Sequence, residues 1–242
     1  MDDLNSYFDQ DTDAIAPYVV CDGVSVDVFN AYADGDTLRF PLRFIDLSDD
    51  GRLLIVELPI SRVHESTLFA FHNKFMAASG NEDKIGELGS MTARRVGTHN
   101  KEADTTYGPM EDTLNRDPPP PPRTVSDWVT LAVEIGRSQE WESLTRAATW
   151  WAGYVGIQYV LLLKVNANAT ELEYRLYDIV IPGPLPDAPT ANGIVRREEI
   201  PNPADIVSFS MRRVLSIPEN EALPEQVNEV ANVNLRRVLD RA

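Results

Sequence analysis

Two acidic residues stand in stretches of sequence that otherwise predict buried strands. Glu134 interrupts the apolar run Val129-Thr-Leu-Ala-Val-Glu-Ile135, and Asp104 lies in the short β-prone segment 101–109. A carboxylate inside a buried strand is costly unless it is paired, hydrogen-bonded or bound to a metal. Considered alone, Asp104 is typical of a turn or cap residue. Glu134 alone is as consistent with a buried ion-pair partner as with a metal ligand. Together, two carboxylates on neighbouring strands would repel each other, and a divalent cation would relieve that repulsion.

The elements around Glu134 are predicted by the pattern of residues 129–165. Gly136-Arg-Ser138 turns the chain after the first apolar run, and residues 139–153 then carry apolar side chains at helical spacing. Residues 157–165 are apolar and rich enough in β-branched residues to form a second buried strand. A strand, a helix and a second strand in this order favour two parallel strands with a right-handed crossover.

Upstream, residues 64–79 are predicted to form a helix, because Leu68, Phe71, Phe75 and Ala78 recur at intervals of three and four. Strands are expected near 90–98 and 103–107. The alternating stretch 37–45, the turn signal Asp49-Asp50-Gly51 and the apolar stretch 52–58 predict a β-hairpin over 37–58.

The other segments complete a predicted division into an acidic arm (1–36), an α/β domain (37–182) and a C-terminal extension (183–242). We expect residues 1–16 to be poorly ordered and the five prolines 118–122 to form a polyproline spacer. The remaining expectations are a strand over 171–181, a loop over 182–193, a strand over 204–217 and a helix over 223–239.

Composition and charge limit the classes of function. The net charge is −16, which disfavours nucleic-acid binding, and residues 1–38 contain nine Asp with no Lys or Arg. The acidic arm is therefore a solvated segment or a surface for a basic protein partner. The single cysteine, Cys21, excludes an internal disulfide framework and favours a reducing, intracellular compartment, cytoplasm or nucleus. No stretch is apolar enough to predict a membrane span.

The helix beginning at His64-Glu65, the segment Lys101-Glu-Ala-Asp104-Thr-Thr-Tyr-Gly-Pro109 and Val129–Ser138 together resemble the PD-(D/E)XK nuclease superfamily, in particular Uma2-like and fungal restriction-endonuclease-like proteins. The resemblance covers about 100 residues. It implies a restriction-endonuclease-like α/β core (αβββαβ), a mixed sheet flanked by helices, here with an N-terminal hairpin and a C-terminal extension.

For function, the resemblance implies a metal-dependent nuclease acting on DNA. Mg²⁺ or Mn²⁺ would be held by Asp104, Glu134 and the backbone carbonyl of Ile135, with Glu65 as a third carboxylate. Hard oxygen ligands suit such ions, which stabilise charge on the phosphoryl oxygens and help to deprotonate water.

The sequence departs from the family pattern at two positions. Ala103 replaces the usual proline before the first acid, and Gly136 stands where the family places a lysine two residues after the second acid. Residues 138–154 contain no lysine, so Arg146, with Arg137 nearby, is the expected catalytic cation. Arginine can stabilise charge but stays protonated and cannot act as a base.

Two alternatives therefore stand beside an active nuclease. One is an inactive pseudo-nuclease that serves as a protein-interaction module, and the other is an unrelated structural or assembly protein. Several further residues are interpreted as structural: we expect Trp150 and Trp151 to pack in the core, and His64 and His72 to have core or helix-end roles.

Overall fold

A computed structural model describes residues 2–8, 12, 14–35, 41–58, 61–137, 139–200, 202–203 and 205–242. The N-terminal part contains α1 (Asp2–Phe8), β1 (Tyr18–Cys21), α2 (Val26–Ala33), β2 (Ile45–Leu47) and β3 (Leu53–Ile55). Its three strands form an antiparallel sheet in the order β1-β3-β2. The predicted hairpin is present, with Ile45 paired to Ile55. Its first strand was placed too early, because Leu42–Phe44 form a 3₁₀ helix and the strand is Ile45–Leu47, while residues 37–40 lie outside the described part.

The N-terminal segment is more structured than the sequence predicted. Phe8, at the end of α1, is fully buried and packs in a cluster with Phe29, Leu42 and Ile55. The prediction that residues 1–16 are poorly ordered is therefore wrong for the described part of that segment. The nine aspartates opposed compaction, but the apolar side chains interspersed among them supply a small core of their own.

The main body is a mixed sheet with helices on both faces. It contains α3 (Arg62–Ser79), β4 (Ile85–Glu87), β5 (Thr105–Pro109), β6 (Leu131–Gly136), α4 (Trp141–Ala152), β7 (Tyr159–Val165), β8 (Glu171–Asp178) and β9 (Ala191–Arg196). The strand order is β4-β5-β6-β7-β8-β9, and every neighbouring pair is antiparallel except the parallel pair β6–β7. The order α3-β4-β5-β6-α4-β7 confirms the predicted αβββαβ core, with a mixed sheet flanked by helices.

Alternate residues of the central strands face the two helices. Leu131 and Val133 lie in the same cluster as Phe71 and Phe75 of α3. Ala132, between them, lies in the cluster of Leu144, Ala148 and Trp151 of α4. This two-residue alternation explains why β6 is apolar along its length apart from one acid, since both of its faces are covered.

The first predicted strand of the core was misplaced. The strand expected near 90–98 is observed at Ile85–Glu87, and residues 90–96 form loop structure in which Ala93 makes an isolated bridge with Lys101. Val96 is fully exposed, and Gly97 has a φ of 76°. Residues 90–96 have a β-prone composition, but no neighbouring strand pairs with them along their whole length, and they do not form a strand.

The C-terminal part adds a two-stranded ribbon, β10 (Ile206–Ser210) and β11 (Val230–Asn234), with the short helices α5 (Met211–Val214) and α6 (Leu235–Leu239). The ribbon and α6 pack against α3. The predicted helix over 223–239 is wrong except for its last turns. Residues 230–234 alternate between exposed and buried side chains, which is the two-residue period of a strand.

Two further features concern the chain as a whole. The predicted loop after residue 181 ends at Ala191, where β9 begins, so part of the predicted C-terminal extension completes the main sheet. Among the helices in the described ranges, none is long and apolar enough to cross a membrane.

Candidate active site

Asp104 and Glu134 lie on neighbouring strands of the main sheet: Asp104 directly precedes β5, and Glu134 lies within β6. The ladder between β5 and β6 ends with Thr105 opposite Val133, one residue from each acid. Burial raises the pKa of Glu134 and the charge of Asp104 adds to that rise, so the two carboxylates are close. The two carboxylates are 6% and 5% exposed, so the structure brings together the acids that the sequence singled out and buries both.

Asp104 is held by three partners. Its Oδ2 accepts a hydrogen bond of 2.6 Å from the backbone N–H of Ile135, which takes the place of the next ladder bond. Its Oδ1 lies 3.1 Å from His64 Nε2 and 3.9 Å from Arg43 Nε, two ion-pair distances whose nitrogens do not meet hydrogen-bond geometry. Burial alone would lower the pKa of His64, but the charge of Asp104 and further carboxylates raise it well above 6.5. Asp104 and His64 therefore form a buried ion pair.

Glu134 has a different environment on the other face of the sheet. Its Oε1 accepts a hydrogen bond of 2.7 Å from the indole Nε1–H of Trp151 in α4. Burial raises the pKa of Glu134 to about 8, the charge of Lys101 opposes that rise, and the neighbouring Asp104 adds to it. Placing Glu134 in this site thus favours its neutral form unless a further cation is bound.

Lys101 is the residue that the sequence analysis missed. It is 5% exposed, and its backbone is fixed by two hydrogen bonds to Ala93, of 2.7 and 3.0 Å. Its positive charge lowers the pKa of both Glu134 and Asp46, so it partly compensates the charge of both acids. The family pattern places its lysine after the second acid, whereas Lys101 precedes Asp104 by three positions.

A second group of charges surrounds Asp46, at the middle of β2. Its carboxylate lies 3.0 Å from His99 Nε2 and 3.4 Å from Arg146 Nε. Burial would raise the pKa of Asp46, but Lys101, His99 and Arg146 together hold it well below its usual range. Arg146 also pairs with Glu142 at 3.6 Å, the helix-surface pair that its spacing indicated.

Glu57, just after β3, supplies a fourth buried acid. Its carboxylate accepts hydrogen bonds from the backbone N–H of Arg137 and from Gln139 Nε2, at 3.1–3.3 Å. Burial raises its pKa, while the charge of His64 opposes the rise. Glu57 therefore ties the N-terminal part to the turn that follows Glu134. No sequence pattern indicated this role of Glu57, because a single polar residue is ordinary in an edge strand.

The remaining predicted site residues lie around the pair. Glu65, at the start of α3, is turned toward His64 Nδ1 at 3.3 Å and Arg43 at 3.4 Å. Ile135 contributes its backbone N–H to Asp104, and Arg137 contributes its own to Glu57. Arg146 contacts Asp46 and not the acids of the pair.

The tryptophans and histidines agree with their structural interpretation. Trp150 and Trp151 are 6% and 0% exposed and belong to the cluster on the α4 face of the sheet. His64 lies in the first turn of α3, which Ser61 caps by accepting a hydrogen bond from the His64 backbone N–H. His72 is half-buried beside Tyr107 and Glu87.

The donor chemistry of the pair suits a hard divalent cation. Carboxylate and carbonyl oxygens are the ligands that Mg²⁺ and Mn²⁺ prefer, and Mg²⁺ commonly uses one or two protein carboxylates together with waters and phosphate. Within the described residues there is no group of three His, Cys, Asp or Glu side chains placed to hold a metal. Asp104 and Glu134 thus fit an ion that takes most of its ligands from water and substrate.

No protein-family model matches the chain, and no curated protein matches its sequence. Among solved structures, the chain is similar to a crystal structure from Anabaena variabilis ATCC 29413 that is described as a candidate nuclease belonging to DUF820. The sequence identity is 10% and the TM-score is 0.45, over 75% of this chain and 90% of the other.

Proposed function

We propose that the chain is a metal-dependent nuclease-like hydrolase that cleaves phosphodiester bonds in DNA. The observation that carries the proposal is Lys101, a buried lysine whose charge acts on Glu134, in a site where Asp104 and Glu134 are both buried on neighbouring strands. Phosphodiester hydrolysis needs carboxylates to hold a cation and a further positive charge near the reacting phosphate. Asp104 and Glu134 meet the first requirement, and Lys101 meets the second.

The roles follow from the positions. Asp104 and Glu134, with the carbonyl of Ile135, would hold Mg²⁺ or Mn²⁺, which would polarise the phosphoryl oxygens and acidify a water. The backbone N–H of Ile135 and the imidazole of His64 fix the carboxylate of Asp104. Lys101 would stabilise negative charge on the phosphate, the role that the sequence analysis gave to Arg146.

A cleavage assay tests the proposal. Labelled DNA oligonucleotides are incubated with the purified chain and Mg²⁺ or Mn²⁺, and the products are resolved on a gel. We expect cleavage by the wild type and a loss of at least about 100-fold in Glu134→Gln and in Lys101→Met, the size of effect that removal of one stabilising group has in other enzymes. Lys74→Met, a half-buried lysine on α3, is the matched control and should cleave as the wild type does.

Two outcomes would contradict the proposal. Absence of cleavage by the wild type with either ion would remove the enzymatic function. Cleavage by Lys101→Met at the wild-type rate would remove the role of Lys101 and with it the observation on which the proposal is based.

A second candidate is the pseudo-nuclease, in which the same fold serves as a protein-interaction module. It is favoured by hydrogen bonds within the protein. Asp104 already accepts one from the backbone N–H of Ile135, and Glu134 accepts one from Trp151, as buried polar groups of a structural core do. Its partner would be a basic protein that binds the acidic residues 1–36. The expected result is salt-sensitive binding of a polybasic peptide that is weakened by Asp22→Asn and Asp27→Asn, two exposed acids of this segment, together with no cleavage. The unrelated structural protein is disfavoured by the closeness of the two acids, since the charge of Asp104 adds to the rise that burial causes in the pKa of Glu134.

A further inference from the structure

Arg43 brings a positive charge from the N-terminal part to the candidate metal site. It lies in the 3₁₀ helix Leu42–Phe44, and the side chains on either side of it, Leu42 and Phe44, are buried and anchor this turn in the core. The guanidinium group of Arg43 lies over the ring of Phe44, 4.9 Å from its centroid. The side chain of Arg43 is only 15% exposed, so its charge is largely withdrawn from water.

Arg43 and His64 contact the same two carboxylate oxygens. Oε1 of Glu65 lies 3.4 Å from Arg43 Nη2 and 3.3 Å from His64 Nδ1. Oδ1 of Asp104 lies 3.9 Å from Arg43 Nε and 3.1 Å from His64 Nε2. Since His64 is protonated in its ion pair with Asp104, two positive groups stand against two carboxylates. The charges of these four side chains therefore balance within the protein.

The same two oxygens are those that the proposed metal ion would use. Asp104 Oδ2 accepts the backbone N–H of Ile135 at 2.6 Å, so Oδ1 is the oxygen of Asp104 that is more open to an ion. Glu65 is the expected third carboxylate of the site. Mg²⁺ lies about 2 Å from its oxygen ligands, so an ion bound to either oxygen would lie within a few ångströms of the Arg43 guanidinium. Like charges at such a distance repel each other.

Arg43 is held to the two acids by weak contacts. Within the described part of the chain, its Nε is buried without a hydrogen-bond partner, and its Nη2 donates to Glu65 only at 3.4 Å. Hydrogen bonds between a guanidinium and a carboxylate are usually about 2.7–2.9 Å long. A divalent ion that binds the carboxylate oxygens directly can therefore replace Arg43 at modest cost.

We propose that Arg43 is an internal counter-ion that competes with a divalent metal ion for Asp104 and Glu65, and that Glu65 binds the ion only when Arg43 has moved away. The inference rests on the proposed function, since it concerns the affinity of the same site for its metal ion. It predicts that loss of the Arg43 charge strengthens metal binding, which is the opposite of the effect of removing a metal ligand.

The test is a titration of the full chain with Mn²⁺, in which the free ion is measured by its electron paramagnetic resonance signal. An arginine beside a carboxylate lowers the affinity of that carboxylate for a proton by roughly 10- to 1,000-fold, and it opposes a metal ion in the same sense. We therefore expect Arg43→Met to bind Mn²⁺ at least about tenfold more tightly than the wild type. Arg43→Gln, which keeps a donor for Glu65 without the charge, should show the same gain.

Two controls separate the charge of Arg43 from other effects. Arg43→Lys keeps a positive charge and should bind Mn²⁺ within about threefold of the wild type. Arg62→Met removes an exposed positive charge from the first turn of α3, close to Glu65 in the chain, and should change the affinity by less than about twofold, because solvent and salt screen an exposed charge. Thermal melts in EDTA show that each variant is folded.

Glu65→Gln, alone and combined with Arg43→Met, tests the role of Glu65. In the wild type Glu65 is engaged by Arg43 and His64, so Glu65→Gln should weaken Mn²⁺ binding by less than about threefold. In Arg43→Met the same substitution should remove most of the gain in affinity. Such a departure from additivity measures the coupling between Arg43 and Glu65.

Three results would overturn the inference and leave the proposed metal site in place. They are an unchanged Mn²⁺ affinity in Arg43→Met and Arg43→Gln, an equal gain in Arg43→Lys, and additive effects of Arg43→Met and Glu65→Gln. Absence of Mn²⁺ binding in every protein would contradict both the inference and the proposed function. Binding of Mn²⁺ by the uncharged Arg43 variants but not by the wild type would support the inference and contradict a metal-dependent wild-type enzyme.

Discussion

Glu134→Gln is the substitution whose effect on stability follows most directly from the structure. Burial raises the pKa of Glu134 from an ordinary 4.5 to about 8 in the folded chain, with Lys101 opposing the rise and Asp104 adding to it. A carboxyl group with a higher pKa in the folded state is more easily ionised in the unfolded state. The contribution of Glu134 to the stability of the folded state is therefore most favourable below pH 4.5 and is lost as the pH rises from there to about 8.

The size of the effect can be estimated from the two pKa values. At about 1.4 kcal/mol per pH unit, keeping Glu134 in the folded chain at pH 7 costs on the order of 3 kcal/mol relative to a group that does not ionise. Glutamine has nearly the same shape, and its amide oxygen can accept the hydrogen bond from Trp151. Without metal at pH 7, we expect the variant to be more stable than the wild type by about 2 kcal/mol, or ~4–8 °C in Tm.

The assay is a series of thermal melts between pH 5 and pH 9 in EDTA. The gain in Tm should grow with pH and become small near pH 5. Glu173→Gln is the matched control. Glu173 also accepts a hydrogen bond from an indole N–H, that of Trp141, but Glu173 is only half-buried. A variant that loses roughly 3–5 kcal/mol at neutral pH would refute the reasoning, because that is the cost of leaving Lys101 without its buried partner.

Three further predictions concern the surroundings of the site. In an NMR titration, His64 should remain protonated above pH 6.5, and its protonated form adds stability that is lost as the pH rises through its raised pKa. Asp104→Asn should lower the pKa of His64, because it removes the negative charge of the ion pair. An unchanged pKa in that variant would contradict the ion pair. In urea titrations at pH 7, Asp46→Asn should lose roughly 3–5 kcal/mol because buried cations lose their partner, while the exposed Asp49→Asn should change by less than about 0.5 kcal/mol. Phe8→Ala should cost roughly 3–5 kcal/mol, and an unaltered urea midpoint would show that α1 does not pack as described.

The core elements of the main sheet were predictable because their patterns are local. The apolar run of β6, the helical spacing of α4 and the apolar β7 each lie within about a dozen residues, which is the range over which periodicity is informative. The same method failed at 223–239, where valines at helical spacing masked the two-residue alternation of β11. It also misplaced the first strand of the core, since pairing with β5 and not local composition selected Ile85–Glu87.

The candidate site was only half predictable from the sequence. Asp104 and Glu134 stand out because each is an acid within a β-prone stretch, and their closeness follows from the neighbouring positions of β5 and β6. Asp46 and Glu57 reach the site from the N-terminal part, far away in the chain, and no local pattern indicates such a contact. Lys101 lies in the same segment as Asp104, but only the fold shows that the charge of a lysine placed before the first acid acts on the second.

The most direct test of the proposed metal site is a thermal melt of the wild type and Glu134→Gln with and without millimolar Mn²⁺. An ion at about 100 times its Kd stabilises the native state by about 2.7 kcal/mol, which corresponds to a rise in Tm of several degrees. We predict that Mn²⁺ raises the Tm of the wild type by this amount and leaves that of Glu134→Gln unchanged. A wild-type Tm that does not respond to Mn²⁺, or an equal response in both proteins, would contradict a cation held by Asp104 and Glu134.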